Sequence, residues 1–144
     1  TGNGEAKFYL GNENIEISEI EKKNVARLEK ENMHYVIIAL TNTGYSKKII
    51  DATKSFREFL KNHSIHDYNS QNFGPDYKIS KTVFFIGNNK LKKETTMSLY
   101  RTGRGDYRMW ISDINSFSEP DNKLAVVLIN SEILVLNISK IEYE

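Results

Sequence analysis

The chain has 144 residues, no cysteine, and 20 Lys and Arg against 19 Asp and Glu, a net charge of +1. That length and a hydrophobic share of 39% suit one ordinary folded unit with a real core, and a charged share of 27% is not that of a disordered chain. The missing cysteine excludes disulfides, thiolate metal sites and cysteine nucleophiles and favours a cytoplasmic setting, and no apolar run approaches the ~20 residues that cross a bilayer. Thr1-Gly2-Asn3-Gly4 reads as an excision or tag remnant, and no signal-peptide pattern opens the chain. Lys7 to Leu10 and Ile15 to Ile20 alternate as strands do, while residues 19–31 allow a weak helix with Val25 and Leu28 inward. His34 to Leu40 is a near-continuous apolar run of strand length. Lys48 to Lys61 is the plain helix, with Ile49, Ala52, Phe56, Phe59 and Leu60 at spacings of three and four. Ile79 to Ile86, Thr95 to Arg101 and Arg108 to Ile114 read as strands. Leu124 to Ile129 and Glu132 to Ile138, joined by Asn130-Ser131, form a hairpin signal. These elements predict one mainly β unit with minor α, a curled or closed barrel with one or two helices at its ends.

The near-neutral total hides an uneven distribution. Residues 1–34 hold five basic and seven acidic side chains; residues 35–61 hold five basic and two acidic. Residues 78–108 hold eight basic and two acidic, and residues 109–144 hold two basic and six acidic. Basic segments framed by acidic ones polarise a surface so that it attracts phosphates without a large net charge.

Motifs for self-sufficient catalysis are missing. His63 and His66 lie three apart beside Asp67, where a helix is expected to finish, so a helix-dipole role explains them as well as metal binding. Pro75-Asp76 has no acid-any-lysine triplet following it on a nearby strand; Glu21-Lys22-Lys23 has that form but precedes it on the chain, and Pro120-Asp121 lies in a turn. Neither a Gly-x-Ser-x-Gly elbow nor a phosphate loop occurs, so no nucleotide cofactor is expected.

Two segments carry the chemistry of nucleic-acid contact. The first, Leu40 to Lys48, offers Thr41, Asn42, Thr43, Tyr45, Ser46, Lys47 and Lys48, the side-chain types that touch base edges and phosphates. The same Thr-Asn-Thr-Gly also makes an ordinary turn, with Ser46 as a helix cap. The second, Ser98 to Trp110, isolates Arg104 between Gly103 and Gly105, with Tyr100, Arg101 and Arg108 alongside and Asp106 able to orient a guanidinium or accept from cytosine. Its plain alternative is an arginine–carboxylate surface network around a tight turn, with Trp110 in the core.

This order of a strand, a polar Thr-Gly arm, a helix, a Val-Phe strand, a basic loop and an arginine-rich arm resembles the N-terminal effector-DNA-binding domain of the EcoRII restriction endonuclease. That domain belongs with the plant B-three type pseudobarrels, found also in the BfiI endonuclease and in LlaJI-type, McrB-like restriction subunits. The resemblance covers residues 33–140, with residues 1–32 an extension, and rests on Leu40-Thr41-Asn42-Thr43-Gly44, the Tyr100-to-Trp110 arm and Leu124 to Ile138. It implies a seven-stranded open pseudobarrel whose two arms grip the major groove of double-stranded DNA and read a short site. The N-arm would be Thr41 to Lys48 and the C-arm Lys90 to Arg108. Catalysis would reside in a nuclease or nucleotide-driven motor elsewhere in the parent chain or in a partner subunit, in a prokaryotic cytoplasm, with no membrane involved.

On that reading Lys47, Lys48, Lys90, Lys92 and Lys93 set register on phosphates, while Asn42, Arg101, Arg104 and Asp106 choose bases. A different function fits the same composition. A basic barrel carrying Tyr45, Tyr68, Phe73, Tyr77 and Tyr100 could instead stack on single-stranded DNA or RNA. A nuclease using scattered acids is a third, testable by incubating DNA with magnesium.

Overall fold

A computed structural model describes residues 18–143 of the chain. Helix α1 (Glu19–Lys30) begins with a capping box: the Ser18 hydroxyl accepts from the Glu21 N–H, and the Ser18 N–H donates to the Glu21 carboxylate. Acids in its first turn and Arg27 and Lys30 in its last agree with the helix dipole. Val25 and Leu28 are buried, as their spacing predicts. The predicted strand Lys7 to Leu10 lies outside the described residues. So does the start of Ile15 to Ile20, whose end instead forms the cap and first turn of α1.

The remaining elements are β1 (His34–Ala39), α2 (Asn42–Lys47), β2 (Ile50–Asp51), α3 (Lys54–Asn62), β3 (Ile79–Ile86), β4 (Lys92–Arg101), β5 (Tyr107–Ile111), β6 (Lys123–Ile129) and β7 (Glu132–Asn137). The strands form one sheet in the order β1-β6-β7-β3-β4-β5-β2, curled into an open half-barrel. Only β3 and β7 run parallel; the other neighbours are antiparallel. The expectation of a mainly β, seven-stranded open barrel is met, with three helices among the described residues.

At β1 and β6 the sheet is buried on both faces. Val36 and Ile38 face the barrel interior with Phe56, Leu60, Val83, Met97, Leu99, Met109 and Ile111. Ile37, Ala125 and Val127 face outward onto Val25 and Leu28 of α1. This double burial explains the unbroken apolar run at β1, which a one-sided strand would interrupt with polar residues. The β6–β7 hairpin turns through Asn130 (φ 51°) and Ser131 (φ 70°), the paired left-handed residues of a type I′ turn.

The helix expected over Lys48 to Lys61 begins only at Lys54: Lys48 closes the separate short helix α2, and Ile50–Asp51 is a strand. Thr41 caps α2 by accepting from the Gly44 N–H, and Lys48 closes it in the left-handed conformation at φ 59°. Ile50, Asp51 and Ala52 then alternate buried, exposed, buried, a strand period, and Ile50–Asp51 pairs with β5. Thr53 caps α3 on the Phe56 N–H. The caps are therefore Thr41 and Thr53, not Ser46. Two strand limits also shift: β4 starts at Lys92, so Lys92 and Lys93 are strand residues, and β5 ends at Ile111, with Ile114 buried in a separate 3-10 turn.

Candidate nucleic-acid interface

The β4–β5 connection is a tight turn held by its own backbone. Thr102 N–H donates to Asp106 O at 3.0 Å, Gly105 N–H donates to Thr102 O at 2.9 Å, and Asp106 N–H donates to the Thr102 hydroxyl at 3.0 Å. Gly105 has φ +93°, and a Cβ there would lie 2.9 Å from the Phe73 ring; at Gly103 a Cβ meets nothing within 4 Å. Gly105→Ala should therefore destabilise the fold by about 1–3 kcal/mol in urea titration. Gly103→Ala should stay within about 0.5 kcal/mol of the parent.

The three arginines of this arm have different fates. Arg101 is turned back onto the turn. Its Nε and Nη2 donate to Gly105 O at 3.1 and 2.7 Å, its Nη1 donates to Tyr68 O at 3.3 Å, and the guanidinium sits 4.4 Å from both the Phe73 and the Tyr107 ring centres. Arg108 is also tied down, by Asp51 at 2.5 Å and by Asp106 at 3.6 Å, with its side chain 21% exposed. Arg104 alone projects, its side chain 85% exposed and touching only the Asp106 carboxylate at 3.0 Å. The Arg104 hydrogen bond, aided by its charge, the Thr102 hydroxyl and the charge of Arg108, holds the Asp106 carboxyl below its ordinary pKa despite some desolvation. Asp106 therefore stays ionised at neutral pH and keeps the Arg104 fork in one orientation.

A stacked row backs the turn. Arg57 of α3 lies 4.0 Å over one side of the Tyr107 system and donates through Nη1 to Ala52 O at 2.6 Å, while Arg101 covers the same ring and in turn carries Phe73. Tyr68, buried, meets Tyr107 edge-on and donates from its hydroxyl to Arg108 O; burial pushes that phenol well above its ordinary pKa. Tyr100 is half-buried opposite Arg108 in the β4–β5 register.

The other predicted residues lie elsewhere. Thr41, Asn42, Thr43, Ser46, Lys47 and Lys48 are exposed along α2 and its caps, and Tyr45 is half-buried, donating to Ser118 O at 2.6 Å and packing edge-on against a partly buried Trp110. Helix α2 follows the end of β1 where Ala39 pairs with Lys123, and Lys92 stands at that same end of the sheet, opposite Ile86. Lys90 is exposed in the Asn88–Lys90 turn, Lys93 is exposed on β4, and Lys92 is paired with Glu132 at 2.7 Å over the Phe84 ring. The ten residues of β4 separate Lys92 from Arg101 by roughly 30 Å. The stretch from Lys90 to Arg108 is thus not one arm. Arg101, Arg104, Asp106 and Arg108 come together at one end of the barrel and the three lysines stand at the other, while α2 runs from the Ala39 end of β1 to β2, whose Asp51 holds Arg108.

What joins the arginine turn at its own end is Phe73, expected only for single-strand stacking, together with residues not among those predicted: Arg57, Tyr107, and Lys54 and Lys61 on α3. The signal for the α3 cations was present as the spacing 54, 57, 61, one face of a helix once its start at Thr53 is known. His63 packs between His34 and Phe59, whereas His66 bonds Gln71 at 2.9 Å. Among the described residues no three His, Asp or Glu side chains are grouped as a metal requires, and no helix is long and apolar enough to cross a membrane. Comparison of the chain with protein-family models, curated proteins and solved structures returned no match.

Proposed function

We propose that this chain binds double-stranded DNA and reads a short base sequence with the Gly103–Gly105 turn. It would serve as the targeting module of a restriction nuclease or nucleotide-driven restriction subunit in a prokaryotic cytoplasm, with catalysis in another part of the parent chain or in a partner subunit. The observation that carries this reading is Arg104. A guanidinium 85% exposed at the tip of a two-stranded ribbon, aimed by an ionised carboxylate at 3.0 Å, is suited to a bidentate contact with guanine O6 and N7. The major groove admits a ribbon of this kind. Arg101 and Arg108, held by backbone, rings and carboxylates, act here as the frame that keeps the tip rigid rather than as readers themselves.

One observation favours a second reading. Phe73 and Tyr77, 50% and 51% exposed, flank the turn on the Gln71-to-Lys78 loop, where they could stack on unpaired bases. Selection from a randomised duplex pool at about 0.1 M salt, with a single-stranded pool beside it, separates the two. Enrichment of a short asymmetric duplex motif is the expected result. Better retention of single strands with no motif transfers the function to stacking, and retention of neither removes both.

A further inference from the structure

The reading turn needs a partner surface that holds the sugar–phosphate backbone, because base contacts choose sequence while phosphate contacts supply most of the affinity and fix the register. The three lysines at the far end of β4 are poorly placed for this, and one of them, Lys92, is already paired with Glu132. At the turn's own end, α3 buries Phe56, Phe59 and Leu60 and presents Lys54, Arg57 and Lys61, spaced three and four apart, on its opposite face.

We propose that this face of α3 is the phosphate-contact surface of the chain, taking the phosphodiester backbone of the duplex whose bases the Arg104 turn reads. The inference rests on the double-stranded DNA reading and names the part of the protein that supplies its affinity. The three cations border a recess of about 270 Å³ completed by Tyr68, Asn69 and Tyr107. Arg57 is fixed in place by Ala52 O and by its stacking on Tyr107, and only one of the five N–H groups of the fork is used there. Glu58 and Asp67 also border the recess, and Asp67 accepts from the Asn69 N–H at 3.0 Å. Three cations against two acids leave one net positive charge, which matches the single negative charge of a phosphodiester. Lys54 adds a second argument. It occupies the first turn of α3, where no acid stands and where a cation opposes the helix dipole. An arriving anion relieves that repulsion.

Through Arg57, Tyr107, Arg101 and Phe73 the α3 face and the turn are joined in one stacked row, so the distance between the phosphate surface and the reading tip is fixed before DNA arrives.

The test compares the parent chain with two double variants, Lys54→Ala with Lys61→Ala, and Lys92→Ala with Lys93→Ala. Each is titrated with the enriched duplex and with a random 20-base-pair duplex between about 50 and 200 mM salt. The α3 variant is expected to weaken both duplexes by the same factor, about tenfold, and to lower the slope of log affinity against log salt by about 0.9, the loss of one phosphate contact. Its preference for the enriched duplex should be unchanged, and the β4 variant should keep the parent slope. All four lysines are exposed, so circular dichroism and thermal unfolding should confirm intact folding in both. An α3 variant with the parent slope while the parent chain still selects its duplex overturns this inference alone. A parent chain that binds neither duplex overturns the reading beneath it as well.

Discussion

Arg104→Ala should reduce the preference for cognate over random duplex by roughly 5- to 150-fold, the equivalent of the 1–3 kcal/mol that a bidentate arginine–guanine contact supplies. The unfolding midpoint should not move. The side chain is 85% exposed and its one ion pair is with a surface carboxylate, an arrangement that contributes little to stability. Arg104→Lys should keep affinity for random duplex but lose most of the preference, since an ammonium preserves charge without the planar fork. Fluorescence anisotropy titrations of both duplexes measure the two quantities together. Equal weakening of cognate and random duplex would make Arg104 a phosphate contact and move base reading elsewhere. Arg101→Ala differs in kind. It removes the guanidinium that holds Gly105 O and separates Phe73 from Tyr107, so loss of binding should come with a lower unfolding midpoint.

The largest effect on stability is expected at Glu21. Its carboxylate is 6% exposed and faces the Lys123 ammonium, itself 10% exposed, at 3.3 Å; it also accepts from the Ser139 hydroxyl at 2.5 Å and the Ser18 N–H at 2.9 Å. These contacts tie α1 to the start of β6 and to the segment after β7. Glu21→Ala removes the charge facing Lys123 together with half of the capping box, and should cost about 3 kcal/mol in urea unfolding. Burial disfavours the charged form of Glu21, but the hydrogen bonds from Ser139 and Ser18 and the charge of Lys123 outweigh it, so the pKa falls below its ordinary value of 4.5. The unfolded chain then binds this proton more tightly than the folded one. The stabilisation is complete above the ordinary carboxyl value and is lost as pH falls through the lower folded value. In Glu21→Gln the acid limb of the stability–pH curve should be shallower below about pH 5. An acid limb identical to that of the parent would show that the carboxylate is not what acid titrates.

Where local pattern and tertiary environment agree, the chain is readable from its letters. Ile79 to Ile86 is rich in β-branched and aromatic residues, ends at Gly87, and forms a strand over those same residues. The β6–β7 hairpin follows from two apolar runs and a two-residue polar link. Between β1 and α3 the pattern misleads, because Ile49 and Ala52 fall into a helical spacing with Phe56, Phe59 and Leu60 by coincidence. The break comes at Lys48, a left-handed residue without the glycine that usually announces one, and the pairing of Ile50 with Met109 is a long-range contact no window detects. The site divides in the same way. Two glycines around Arg104 announce a projecting tip. That Arg101 folds inward depends on Phe73, Tyr68 and Tyr107, and nothing in the spacing of Arg101, Arg104 and Arg108 distinguishes the arginine that projects from the two that are held.

The sheet order has a consequence for how the protein is made. Its first described strand lies beside its sixth, with His34 opposite Leu128, and β3 finds its parallel neighbour only in β7. A ribosome still synthesising residues 123–137 therefore holds a chain in which β1 lacks its β6 partner and the apolar faces of both are open. Closure of the half-barrel must wait for the last strand, and such distant pairings belong to slow folders that take milliseconds to seconds. Arrested chains ending before β6 should bind folding chaperones, and release should come only once the hairpin at Asn130-Ser131 has cleared the exit tunnel.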